Sequence, residues 1–276
     1  MINLKRIYQF FKYQMIQRNV YALTASSRAL PNFIIIGSMK SGTTSLYHYI
    51  CRHPCVLPAA YDEIGFFDNN YHLGLNWYRS MFPTIKQLNK IKKREGIALT
   101  GEDTPFYFWN REVCQRIKDL LPSVKLILIL RNPVDRAFSE YNNGVRNGKI
   151  DTSFESFIKQ DLDSLTKNSP DITRFNDSKS IISRGIYSVQ LDLWKKLFPK
   201  DQILILQSEK LLEFPDKVLD DVSNFLGLPK FNLSEKIVKK KYTYDKMNED
   251  TRKKLIKFYE PYNEQLYGMI ERKYDW

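Results

Sequence analysis

Phe33-Ile34-Ile35-Ile36-Gly37-Ser38-Met39-Lys40-Ser41-Gly42-Thr43-Thr44-Ser45 is the stretch that decides the fold. Its first four residues are apolar and mostly β-branched, as in a strand buried on both faces. The glycine-bounded loop runs into Leu46-Tyr47-His48-Tyr49-Ile50, which reads as a helix. Strand, loop and helix in that order present backbone N–H groups and a helix N-terminus to an anion. Lys40 adds a mobile positive charge.

The nucleoside-triphosphate loop has the spacing G-x-x-x-x-G-K-[ST]. Gly37 and Gly42 keep the glycine spacing, but Thr43 stands where the lysine should be, and the lysine comes early, at position 40. No clear second acidic strand end is present to hold magnesium, which a triphosphate site needs. The loop therefore suits a phosphate-like group that requires less metal neutralisation, and a sulfuryl group fits. An ordinary strand-to-helix turn could carry the same glycines. The lysine and the hydroxyl run Ser41, Thr43, Thr44 and Ser45 favour a binding loop. A second apolar run, Val124 to Leu130, ends in Arg131-Asn132-Pro133, and Pro133 suits the first turn of a helix. Arg131 then sits at a strand C-terminus and Ser139 lies eight residues on, inside that helix. Ligands of open parallel sheets bind beyond the strand C-termini, so the two strand ends can meet one nucleotide from two sides.

With these residues in place, the chain resembles the sulfotransferases that use 3′-phosphoadenosine 5′-phosphosulfate, in the branch of the heparan sulfate sulfotransferases. Gly37 to Ser45, with Lys40, resembles the family's 5′-phosphosulfate loop, and the Arg131–Ser139 pair its 3′-phosphate motif. Asp62-Glu63-Ile64-Gly65-Phe66-Phe67-Asp68 resembles its acidic-aromatic segment, which places Glu63 as the catalytic base. Gly101-Glu102-Asp103-Thr104-Pro105-Phe106-Tyr107 resembles its Gly-Glu-Lys-Ser/Thr-Pro-x-Tyr segment. Trp77-Tyr78 before Phe82-Pro83, Gly185-Ile186-Tyr187 before Trp194, and Pro261-Tyr262-Asn263 before Leu266-Tyr267 are further landmarks in the family's order. Lys239-Lys240-Lys241-Tyr242 lies where the family has a basic loop over the cofactor, which implies a 3′-phosphate contact from at least one of these lysines and makes Lys240, Lys241 and Tyr242 the expected cofactor-binding residues, with a solvated charge run as the alternative. The implied fold is α/β: one domain over 31–276, a parallel β-sheet flanked by helices in a P-loop-like sulfotransferase arrangement.

Composition agrees with one such domain. The chain has 276 residues and a net charge of +12, enough for a sizeable core. Part of that charge suits an anionic cofactor; no nucleic-acid module motif accompanies it. Three cysteines, Cys51, Cys55 and Cys114, argue against a disulfide framework and for a reducing, cytoplasmic setting. Cys51 and Cys55 flank His53, yet with three histidines in all (His48, His53, His72) no metal set is expected. His53-Pro54 instead reads as the stop after the loop helix. Residues 1–30 are basic and aromatic, without the run of about 20 apolar residues that a membrane span requires. They read as an interfacial amphipathic helix or one packed on the domain or on a second subunit, which leaves a homodimer open.

Strands are expected at Phe33–Ile36, Ile97–Gly101, Leu126–Leu130 and Ile203–Gln207. Helices are expected after Thr43 and near Asn110–Leu121, Pro133–Val145, Tyr187–Leu197, Phe214–Leu226 and Asn248–Ile270. Residues 146–184 are polar and read as an insertion, either a lid over the acceptor or a plain helical hairpin. Sulfuryl transfer is an in-line displacement in which positioning and charge stabilisation dominate. Lys40 is placed on the leaving phosphate, the loop with Ser41 to Ser45 on the 5′-phosphosulfate, and Arg131 with Ser139 on the 3′-phosphate. His48 is a weaker candidate base, expected to point into packing.

Two departures bear on the acceptor. The family has lysine before the catalytic glutamate and before Ser/Thr-Pro; here these are Asp62 and Asp103. With Glu63, Asp68 and Glu102 they predict an acidic acceptor side that attracts a cation, with cation–π support from Tyr61, Tyr107, Trp109 and Tyr141. Asp62, Phe66, Asp103, Tyr107 and Tyr141 are thus the expected substrate contacts. A small guanidinium-bearing acceptor follows, and with it a resemblance to the sulfotransferases of the cyanobacterial saxitoxin pathway. A carbohydrate acceptor, a small-molecule kinase, and aspartates that merely pair locally are the alternatives.

Overall fold

The computed structural model describes residues 18–167, 180–231 and 246–276. Strands β1 (Phe33–Gly37), β2 (Val56–Pro58), β3 (Leu99–Asp103), β4 (Lys125–Leu130) and β5 (Ile203–Gln207) form one sheet in the order β2-β3-β1-β4-β5, every pair parallel. The principal helices are α1 (Thr43–Ile50), α2 (Ile85–Glu95), α3 (Arg111–Leu120), α4 (Pro133–Arg146), α5 (Phe154–Lys167), α6 (Tyr187–Leu197), α7 (Pro215–Leu226) and α8 (Glu249–Ile270). Two strands on either side of β1 place its C-terminal end, and the loop that follows, at the middle of the sheet.

The central strands are apolar without alternation because both faces are covered. Ile34, Ile36, Leu126, Leu128 and Leu130 pack on one side with Val113 and Ile117 of α3 and Leu191 and Trp194 of α6. Phe33, Ile35, Ile127 and Ile129 pack on the other with Leu46 and Tyr47 of α1 and Val218 and Val222 of α7. A third cluster joins Val134 and Ala137 of α4 to Phe154 and Ile158 of α5 and Leu255 and Tyr259 of α8. The polar 146–184 stretch therefore contains a helix whose apolar positions, four residues apart, are docked on the domain. Gly37 ends β1 where no side chain fits, since a Cβ there would lie 2.6 Å from Phe108 Cβ.

The sheet, α6 and the run of α3, α4, α7 and α8 lie where the pattern puts them. Four details differ from the expectation. β3 begins and ends two residues later than expected and includes Glu102 and Asp103, because parallel backbone pairing with Ile34 and Ile35 of β1 carries the strand through them, which local polarity does not reveal. β2 is only three residues long, and α2 carries no buried residue, its apolar positions Leu88 and Ile91 being only half-buried. His48 is exposed on α1 and does not point into packing.

Candidate active site

The site forms where β1, β3 and β4 end. After Gly37 the chain turns through Ser38 to Gly42, and Gly42, at φ 92°, caps α1. The loop is braced from beneath: Ser38 N–H donates to Ile129 O at 2.8 Å, and the Ser38 and Ser41 hydroxyls are 2.6 Å apart. Ser41 is fully buried and its hydroxyl is engaged within the loop, whereas Thr44 and Ser45 are half-buried on the first turn of α1. Lys40 and Glu63 adopt left-handed backbone conformations, φ 65° and 54°. Such geometry costs on the order of 1–3 kcal/mol for a non-glycine residue and concentrates at functional sites.

Arg131 follows β4, and its guanidinium donates to Lys40 O at 3.1 Å. Tyr187 at the start of α6 donates to Arg131 O at 2.9 Å, fixing that strand end. Asn132 caps α4 by accepting from Val134 and Asp135 N–H, and α4 carries Ser139, which is buried. Four charged groups act on Lys40: Arg131 and Arg146 against its ammonium, Glu140 and Glu63 in its favour. Burial is the largest influence, and the balance lowers its pKa from the ordinary lysine range. Lys40 is thus the point at which the loop, the end of β4, helix α4 and the acidic segment meet.

The acidic segment folds back over β3, with Glu63 N–H donating to Asp103 O at 2.9 Å and Gly65 N–H to the Thr104 hydroxyl at 3.2 Å. Glu63 is exposed at the mouth. Its pKa is raised, first by partial desolvation and then by the charge of Asp62, with Lys40 opposing. Asp62 is also exposed and pairs with His48, Nε2 to Oδ2 at 2.9 Å.

The remaining carboxylates lie deeper. Glu102 is fully buried and accepts from Tyr78 at 2.5 Å and Thr104 at 2.8 Å; desolvation raises its pKa to about 7 despite these bonds. Asp103 is 1% exposed, and desolvation together with Asp62, Glu63 and Glu102 lifts it to about 8.

Several expected substrate contacts are therefore corrected. Tyr107 is fully buried, with its hydroxyl between Glu102 and the Phe67 N–H. Phe66 is 2% exposed, stacked on Tyr78 at 4.3 Å. Rings enclosed in this way offer no face to an acceptor. Tyr141 is buried on α4 against Phe154, its hydroxyl donating to Thr152 O. Asp103 lies under α1 and not on an open surface. Lys240, Lys241 and Tyr242 fall outside the described residues, as do 1–17 and 168–179. His53 is structural: Cys55 N–H donates to its Nδ1, and its Nε2 bonds Pro229 O at 2.9 Å.

Residues that the sequence reading passed over also shape the site. Glu140 accepts from Arg136 at 2.5 Å and from Arg184, a buried ion triad behind Lys40. The four-residue spacing of Arg136 and Glu140 on α4 was the available signal.

A family model for the sulfotransferase domain matches residues 30–265. The chain belongs to the sulfotransferase family. It is 32% identical to mouse heparan sulfate glucosamine 3-O-sulfotransferase 3B1 over 91% of this chain and 66% of that protein. It is 27% identical to the membrane-associated sulfotransferase kil1 of Dictyostelium discoideum, over 90% of this chain and 66% of that protein. With the human bifunctional heparan sulfate N-deacetylase/N-sulfotransferase 3 it shares 28% identity over 92% of this chain but 31% of the relative. The chain thus spans slightly under two thirds, or about one third, of these relatives. The crystal structure of a sulfotransferase from Alicyclobacillus acidocaldarius superposes with a TM-score of 0.68 at 26% identity, covering 89% of this chain and 98% of that one. Among the described residues no helix is long and apolar enough to cross a membrane.

Proposed function

We propose that the chain transfers a sulfuryl group from 3′-phosphoadenosine 5′-phosphosulfate to a hydroxyl or amine of an acceptor. The observation that carries this is the position of Lys40, held between Arg131 and Glu63 on an anion-binding loop. In this reading Glu63 removes the acceptor proton as the acceptor atom attacks sulfur. The bond from sulfur to the 5′-phosphate oxygen breaks, and Lys40 with the amides at the start of α1 takes up the charge that builds on the leaving phosphate. A carboxyl with a raised pKa is better matched to proton abstraction near neutrality than an ordinary one. Arg131 and Ser139 hold the 3′-phosphate, for which a guanidinium is suited by its bidentate geometry. No metal is required by this donor set.

For the acceptor, the carbohydrate reading is the stronger. Of five carboxylates expected on the acceptor side, only Asp62 and Glu63 are exposed, and Asp62 is paired with His48. Repulsion of an anionic sugar is correspondingly weak, and two of the relatives described above are named for heparan sulfate. The small cationic acceptor is the second reading, supported by the exposed Asp62–Glu63 pair. Transfer of labelled sulfate from the donor to a panel of uronic-acid oligosaccharides and guanidinium compounds separates them. Labelling of the oligosaccharides alone supports the first reading; labelling of the guanidinium compounds alone replaces it with the second.

A further inference from the structure

Asp103 terminates β3 in register with Ile35 of β1, so its carboxyl lies on the α1 face of the sheet. It is 1% exposed, and neither of its oxygens meets a donor in hydrogen-bonding geometry. Buried carboxyls seldom lack a partner, and each such case calls for an explanation. The Tyr47 hydroxyl on the same helix is already committed to Gly101 O at 2.9 Å. The Thr44 hydroxyl, one turn earlier, is close enough to favour the charged form of Asp103, and Thr44 belongs to the first turn of the loop helix.

We propose that Asp103 is a positioning residue of the donor loop: as the neutral acid it donates to the Thr44 hydroxyl and turns that hydroxyl's own proton toward the 5′-phosphosulfate. The inference rests on the donor assignment above. A hydroxyl can accept one hydrogen bond while donating another, and a protonated carboxyl is a donor. Ionised Asp103 would instead capture the Thr44 proton and place a negative charge beneath an anion.

The surroundings hold the acid neutral. Asp62 and Glu63 act on it from the acidic segment, and Glu102 acts from the preceding position of its own strand, on the opposite face of the sheet; all three raise its pKa after desolvation does. The titratable neighbours on α1 and at its C-terminal cap are Tyr47 and Cys51, each of whose pKa the Asp103 charge raises. Asp62 is in turn paired with His48, and Glu63 is in the field of Lys40.

The test is calorimetric binding of adenosine 3′,5′-bisphosphate between pH 7 and pH 9 by the wild type, Asp103→Asn and Thr44→Val. For one group that must stay protonated and that titrates near pH 8, affinity falls about tenfold over this range. Lys40, whose pKa is also lowered, adds a slope common to all three proteins. An asparagine cannot ionise, so Asp103→Asn is expected to bind about tenfold more tightly than the wild type at pH 9, a gain no merely structural role produces. Thr44→Val should bind more weakly at pH 7 and lose the Asp103-dependent part of the slope, which keeps the test usable if the asparagine variant does not fold. Equal slopes in the wild type and both variants overturn the inference while leaving the donor assignment intact. Failure of the wild type to bind the bisphosphate at pH 7 overturns the donor assignment itself.

Discussion

Replacing Glu140 by glutamine tests how the donor side of the site is held. Glu140 sits between two guanidiniums: Arg136, with a fully buried side chain, and Arg184, with a side chain 12% exposed. Burial alone would lower the Arg136 pKa, but the Glu140 charge offsets this and the net shift is upward. The carboxylate is therefore the counter-ion that makes burial of the pair tolerable. Removing one member of a buried ion network costs about 3–5 kcal/mol, because the partners remain buried and uncompensated. For a chain of this length about 2–4 °C of melting temperature corresponds to each kcal/mol, which predicts a fall of about 10 °C. Thermal denaturation followed by circular dichroism, with urea midpoints as a second measure, reads it directly. Glu140→Gln combined with Arg184→Met should recover part of the loss, since one of the two stranded charges is gone. Glu140 also supports the charge of Lys40, so the single variant should lose turnover at a lower pH than the wild type as pH rises. A melting change under about 2 °C, with no recovery in the double variant, would refute the triad as a stabilising element.

Three further outcomes are expected. Glu63→Gln should bind adenosine 3′,5′-bisphosphate normally and lose about 10²–10⁴-fold in turnover, whereas Lys40→Ala should lose use of the donor; wild-type turnover in Glu63→Gln removes it as the base. Gly101→Ala should be destabilised by about 1–3 kcal/mol, because a Cβ there would lie 2.5 Å from the Phe33 ring; an unchanged urea midpoint would contradict this. Glu102, raised to about 7 when folded, binds its proton more tightly in the folded than in the unfolded state. Its contribution to stability is therefore full below about pH 4.5 and is lost as pH rises toward 7. Wild-type melting temperature should fall across that window, and Glu102→Gln should flatten the fall; an unchanged slope in the variant would show that Glu102 is not its source.

Much of this architecture was legible because both layers of helix press on the sheet. The apolar, β-branched runs at Ile34 and Leu126 form buried strands, the similar run at Ile203 forms a half-buried edge strand, and the helix over Tyr187–Leu197 has the ends its pattern suggests. Helix α2 was missed although Thr84 and Gln87 form a capping box, Gly96 ends it and Ile85, Leu88 and Ile91 recur at helical spacing; three apolar residues among charged ones, none of them buried, make a faint stripe. The loop lysine and Arg131 were legible as chemistry, and the structure joins them through Lys40 O. The aromatic residues were not: Phe66, Tyr107 and Tyr141 look like pocket walls in a list of residues, but large rings adjoining a site are as readily drawn into the core, where all three lie. Asp103 was equally opaque. A carboxylate in sequence reads as surface, and only its register on β3 places it under α1.

The central claim is that the loop at Gly37 to Ser45 and the end of β4 together hold a 3′-phosphorylated adenosine nucleotide. The most direct measurement is the melting temperature of the whole chain titrated with adenosine 3′,5′-bisphosphate, beside ATP with Mg²⁺. At one hundred times its dissociation constant a ligand adds about 2.7 kcal/mol, which for this chain is a rise of several degrees that grows with concentration and disappears in Lys40→Ala. No rise at millimolar bisphosphate, or a larger one with ATP and Mg²⁺, would contradict the account.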